Sequence, residues 1–161
     1  GVSTMAAMDP ERELQARRKL EKYHDVIEKK LKVSLARIME QRDKVYTQQS
    51  EYVQLRNNIA VLQESKQKKM KSLVNLGSEF YAQAVVPDTS RIFVEVGLTL
   101  RVEFTLDEAV AFCKRKEAHL KAKGDMLTRK ASELKANIKL IYDAMAEIMR
   151  LDREEKGDRK R

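Results

Sequence analysis

Arg91–Ile92–Phe93–Val94–Glu95–Val96–Gly97 and Leu98–Thr99–Leu100–Arg101–Val102–Glu103–Phe104, followed at once by Thr105–Leu106–Asp107–Glu108, decide the fold. Ile92, Val94 and Val96 alternate with Arg91, Phe93 and Glu95, and Leu98, Leu100, Val102 and Phe104 alternate with Thr99, Arg101 and Glu103. A period of two over such stretches predicts strands with one buried face. Gly97 stands where the chain must reverse between them. Thr105 and Glu108 form a capping box, in which the Thr hydroxyl takes an orphan helix N–H and the Glu carboxylate reaches back to the cap. A helix therefore starts where the last strand ends.

Working upstream, the stretch from Val74 to Phe104 also holds Gly77, Pro87 and a further strand candidate from Phe80 to Val86. Pro87–Asp88–Thr89–Ser90 predicts a turn, because Pro fixes φ and Asp and Ser bond back to the backbone. Three or four short strands are too few for a core of their own. Their edges need a partner, or they become an aggregation hazard. Phe80, Val85, Ile92, Val94, Val96, Leu98, Leu100, Val102 and Phe104 are therefore expected to form a subunit-assembly surface, buried when several chains pool their strands.

Outside this stretch the period changes to seven. From Glu11 to Ser72 there is no Pro and no Gly, and Leu31, Ile38, Val45, Tyr52, Ile59 and Leu73 recur every seventh position, with Lys66 the one break. Leu106, Cys113, Leu120, Leu127, Leu134, Ile141 and Ile148 do so without a break, with Val110, Ala131, Ile138 and Met145 as a second row that Glu117 and Gly124 interrupt. Such repeats predict two helices that bury a seam against each other. At 1.5 Å per residue, 50–60 residues extend roughly 80–90 Å, too far for a globular domain of this mass. The expected layout is a flexible N-terminus over 1–10, a coiled-coil helix over 11–73, the β region over 74–104, a second coiled-coil helix over 105–152 and a charged tail over 153–161. The fold class is mainly α with a small β insertion, a long antiparallel coiled-coil hairpin.

In such a hairpin Leu20, Tyr23, Val26, Ile27 and Leu31 become neighbours of Ile141, Met145, Ile148, Met149 and Leu151 at the free tips. These residues either pack the helix ends together or hold apolar segments of another protein, a use that suits the adaptable Met side chain.

Composition narrows the function. The chain has 161 residues and 18.7 kDa, one folding unit by size, with 36% charged residues, no Trp, 5 Gly and 2 Pro. So few glycines argue against a compact nucleotide-binding enzyme. No P-loop, GxGxxG, HExxH or GxSxG motif occurs, and Cys113, His24 and His119 have no catalytic or metal-ligating company. No catalytic residue, cofactor or metal is expected, and the chain is read as a non-enzyme. The net charge of +8 raises the prior for acidic partners. Its densest run, Lys66–Gln67–Lys68–Lys69–Met70–Lys71, reads as a solvated helix face, and direct nucleic-acid binding is not expected. No apolar run is long enough to span a membrane. Gly1 to Pro10 does not have the pattern of a signal peptide.

Helix, strands, helix with these residues resembles a prefoldin subunit of the α type. The resemblance is carried by Arg91 to Gly97, Thr105–Leu106–Asp107–Glu108–Ala109, Phe112 and Lys114–Arg115–Lys116. It narrows to a prefoldin-like branch through Arg42–Asp43–Lys44–Val45–Tyr46, Gln54–Leu55–Arg56–Asn57 and Val85–Val86–Pro87–Asp88–Thr89–Ser90. It covers about Leu31 to Leu151, and Thr99 departs from it where the family usually has a second turn glycine. The resemblance implies two β-hairpins between the helices and a hetero-oligomer with other prefoldin-type subunits, built on pooled hairpins. It also implies capture of unfolded polypeptides near the coiled-coil tips and delivery to a chaperonin or larger co-chaperone complex. For that branch it implies cytoplasm and nucleus, and an alternative role as a transcription cofactor that contacts transcription factors without holding unfolded clients.

Overall fold

A computed structural model describes residues 10–66 and 68–158. Residues 1–9 and 159–161, within the expected N-terminus and tail, and Gln67 of the basic run lie outside the described residues. The elements run α1 (Pro10–Val26), a π-helical turn (Ile27–Leu31), α2 (Lys32–Ser65), β1 (Met70–Gly77), β2 (Phe80–Val86), β3 (Arg91–Gly97), β4 (Leu100–Thr105) and α3 (Leu106–Asp158). β1 pairs with β2 and β3 with β4, both antiparallel, giving two separate two-stranded sheets. The chain divides into two compact units, one of residues 44–124 and the other of residues 1–43 with 125–161.

In the 44–124 unit the helices run antiparallel. Gln63 donates to Asp107 (2.7 Å), Arg56 pairs with Glu117 (2.8 Å), and the Tyr46 ring lies over Gly124, so the partner number rises on one helix as it falls on the other. The core gathers Ile59, Val94, Ala109 and Cys113, with Tyr52, Leu55, Ile92, Phe104, Leu106, Val110 and Phe112 packed around them. Phe112 stacks on Phe104 (centroids 5.4 Å apart) and meets Tyr52 edge-on (6.1 Å).

The two interruptions of the α3 seam are both fitted. Glu117 answers Arg56, a half-buried side chain of α2. At Gly124 a Cβ would lie 2.9 Å from a Tyr46 ring carbon, so the missing side chain makes room for the ring.

The helix expected over 11–73 ends instead at Ser65. The Ser65 hydroxyl donates to the Leu62 carbonyl, and Lys66 turns left-handed at φ 49°. Leu73 matches the seven-residue spacing by coincidence. The lysine-rich run from Lys66 to Lys71 has no seam to bury, and Met70 and Leu73 take ladder positions opposite Val86 and Gln83. The linker is fastened where the Thr89 N–H donates to the Lys68 carbonyl (3.3 Å). At the other end α3 reaches Asp158 rather than 152. Arg150 bridges Glu147 and Glu154, one turn to either side, and supports the helix past Leu151.

The capping box has the expected reciprocal form. The Thr105 N–H donates to Glu108 (2.9 Å) and the Glu108 N–H to the Thr105 hydroxyl (3.3 Å). These bonds from Thr105 hold the Glu108 carboxyl below its usual range. A depressed carboxyl stabilises the fold above its unfolded pKa and loses that contribution as pH falls through the lower, folded value. Thr105→Ala is expected to cost about 1 kcal/mol at neutral pH. It should also flatten the acid limb of the stability curve below about pH 4.5, read by thermal melts across pH.

Both hairpins close in the same way. Gly77 pairs with Phe80 around Ser78 and Glu79, and Gly97 with Leu100 around Leu98 and Thr99, with all four loop residues at φ between 49° and 64°. Two left-handed residues make the turn that suits strand twist, and Asn-Gly favours it. Thr99 at φ 61° is the costly position, since a β-branched residue is strained there. Thr99→Gly is expected to raise stability by about 1 kcal/mol, measured by denaturant unfolding.

Candidate assembly surface on the hairpins

Each sheet has two strands, so every strand leaves one backbone edge unpaired within the described chain. The pleat then sorts the side chains. In the second hairpin Ile92 faces Phe104 and Val94 faces Val102, while Phe93 faces Glu103 on the opposite surface. Val94 is 4% exposed and Phe93 is 70% exposed. In the first hairpin Leu73, Tyr81 and Val85 share one surface and are all exposed; Ala82, Ala84 and Val86 on the other are half-buried.

This corrects part of the expected assembly set. Ile92, Val94 and Phe104 already pack in the chain's own core, and Val96 is half-buried. Val94 meets the helices where the seam residues Ile59 and Cys113 are buried, so it anchors the hairpin and is not offered to a partner. Phe80, Val85, Leu98, Leu100 and Val102 do stand exposed, with Leu98 outermost at 91% on the turn. Sequence reasoning missed Phe93, Leu73, Leu76 and Tyr81, also exposed. The signal was present at Phe93, an aromatic residue on the otherwise charged side of the alternation, opposite Ile92 and Val94.

An open groove of about 600 Å³ beside the second hairpin is lined by Tyr52, Phe93, Val96, Lys116 and His119, among others. Burial pushes the Cys113 thiol up, away from the thiolate form that nucleophilic chemistry needs. No group of His, Cys, Asp and Glu able to hold a metal occurs among the described residues. No described helix is long and apolar enough to cross a membrane.

The tip residues fall in the other unit. Leu20, Tyr23, Val26, Leu31, Ile141 and Ile148 are half-buried, and Met149 and Leu151 are exposed. Ile27 (0% exposed) and Met145 (9%) are buried. These two pack the unit together. A groove of about 230 Å³ sets Glu13, Ala16, Arg17 and Leu20 of α1 against Ile148, Met149, Asp152 and Arg153 of α3.

A coiled-coil hairpin bearing two small open sheets between its helices is the class of protein these features define. The family model described as "Prefoldin subunit" matches residues 31–150, and the chain belongs to the prefoldin family. It is similar to the Protein UXT homolog of Nematostella vectensis, 36% identical over 148 residues covering 91% of this chain and 93% of that one. It is also similar to Protein UXT of Homo sapiens, 38% identical over 133 residues covering 83% and 85%. Among solved structures, it resembles a chain of filamentous PFD from Methanocaldococcus jannaschii with a TM-score of 0.47 and 23% identity, over 81% of this chain and 98% of that one. Prefoldins are non-enzymatic, chaperone-like proteins that form oligomers with other prefoldin subunits.

Proposed function

We propose that this chain is a non-catalytic chaperone or co-chaperone subunit. It assembles through its hairpins with other prefoldin-type subunits into a hetero-oligomer, and it binds unfolded or partner polypeptides at its coiled-coil tips. The observation that carries the reading is the set of exposed apolar side chains Leu73, Tyr81, Val85, Phe93, Leu98 and Leu100 on two sheets with open edges. An isolated two-stranded hairpin is marginal in water. Burying each large apolar side chain contributes about 1.5–3 kcal/mol, so a handful per subunit can sustain a lasting interface.

The test is capture of the tagged chain from cells, identification of its companions by mass spectrometry, and an aggregation assay on the recovered complex with a denatured protein. Prefoldin-type companions together with suppressed aggregation support the reading. Companions without suppression move it to an adaptor that acts on transcription factors through protein contacts. A chain recovered alone overturns it.

A further inference from the structure

The residues of α1 and α2 that face inward follow a helical seam with one irregularity. Leu20, Tyr23, Ile27, Leu31, Leu35, Ile38 and Arg42 are buried or half-buried, at spacings of 3, 4, 4, 4, 3 and 4. A coiled-coil seam alternates threes and fours. Three fours in succession mean one residue too many, and each residue turns an α-helix by about 100°. In an uninterrupted α-helix, therefore, α1 would rotate its apolar row away from the seam. The π-helical turn at Ile27–Leu31 takes up the extra residue in one wide turn. It keeps Ile27 wholly buried and Leu20 facing Ile148 and Met149 across the tip groove.

The turn ends at residue 31, where the prefoldin match begins. On the far side of it, α1 is a 17-residue helix dominated by charged residues, with Ala16, Leu20, Tyr23 and Val26 as its half-buried apolar contacts. A helix of that length is marginal in water by itself and depends on its contacts. The contacts available to it are the residues of α3 around Ile148, which belong to the tip set proposed above for clients.

We infer that α1 is a built-in cover for the apolar row of α3 around Met145, Ile148 and Met149, held in register by the π turn, and that an unfolded client reaches this row by displacing it. The inference rests on the client-binding reading above. The row is open only for the fraction of time that α1 is off it, and apparent client affinity is reduced by that fraction. The wide turn and the sparse contacts of α1 keep the cover removable.

Two variants of the full chain, one substitution and one deletion, push in opposite directions. Leu20→Asp removes the central contact of α1. Deleting Lys30, an exposed residue of the π turn, gives the spacings 3, 4, 3, 4, 3 and 4, and hence a continuous α-helix that holds α1 more firmly. The probe is fluorescently labelled, reduced and carboxymethylated α-lactalbumin, a permanently unfolded polypeptide, followed by anisotropy. Leu20→Asp is expected to bind it about 3–10-fold more tightly and the Lys30 deletion about 3–10-fold more weakly. Hydrogen exchange is read alongside. Amides around 141–149 should exchange faster in Leu20→Asp, with those around 106–113 unchanged.

Faster exchange without probe binding by any variant would retain the cover and remove the client reading. It would overturn the inference in the form given, because nothing would then be gated. Unchanged exchange, or probe binding that Leu20→Asp weakens, overturns the cover and leaves the client reading standing.

Discussion

Replacing Phe93 and Leu100 together by aspartate is expected to leave a folded chain that no longer joins its partner subunits. Both side chains stand largely in water in the isolated chain, at 70% and 60% exposure, so neither substitution opens a hole in the core. The helices, the capping box and the Phe104–Phe112 stack lie elsewhere. In an assembly through the hairpins the same two residues pass from water to an apolar contact, worth about 3–6 kcal/mol for the pair. That is two to four decades in dissociation constant before the cost of burying the new carboxylates is added. Native mass spectrometry of the co-expressed complex reads the loss, and circular dichroism reads the retained helix. An intact oligomer for the double variant would move the interface away from the second hairpin.

Val94→Asp is expected to do something different, and more damaging. Val94 lies among Ile59, Ala109 and Cys113, and its cross-strand partner is Val102. A carboxylate there would be taken out of water among apolar side chains, and an uncompensated buried charge costs about 3–5 kcal/mol. Domains of this kind are stable by about 5–15 kcal/mol in all, so the variant should melt far earlier and release the second hairpin from the helices. From the alternation alone, the same substitution is expected to abolish assembly and leave the helices formed. The burial of Val94 in the chain's own core reverses that expectation. A Val94→Asp chain with unchanged melting would show that the hairpin is not anchored where the structure places it.

The contrast between these neighbours shows what the sequence discloses. Alternation states that Phe93 and Val94 point to opposite surfaces, but not which surface meets the helices. That was settled by where Ile59 and Cys113 arrive, some 20 to 35 residues away along the chain in either direction. The candidate site was therefore legible as a pair of hairpins and illegible as a face. The helix boundary near Ser65 escaped for a related reason. Leu73 satisfies a seven-residue period, and a period cannot tell a seam from a strand that happens to fall in step. Only the ladder with Gln83 and Val86 identifies β1. The π turn is not legible locally because the seven-residue repeat is regular only from Leu31 onward, and the three successive fours show only where burial marks Leu20, Tyr23 and Ile27 as seam positions.

Periodicity, turn residues and the Thr105–Glu108 cap by themselves determined two long helices, the strands between them and the place where the second helix starts, because each depends on neighbours within a few residues. Which apolar residues are spent on the chain's own core, which remain for other chains, and how α1 is kept in phase were decided by the tertiary structure alone. Those outcomes depend on contacts between segments far apart in sequence, and no local pattern encodes the partner that a side chain will meet.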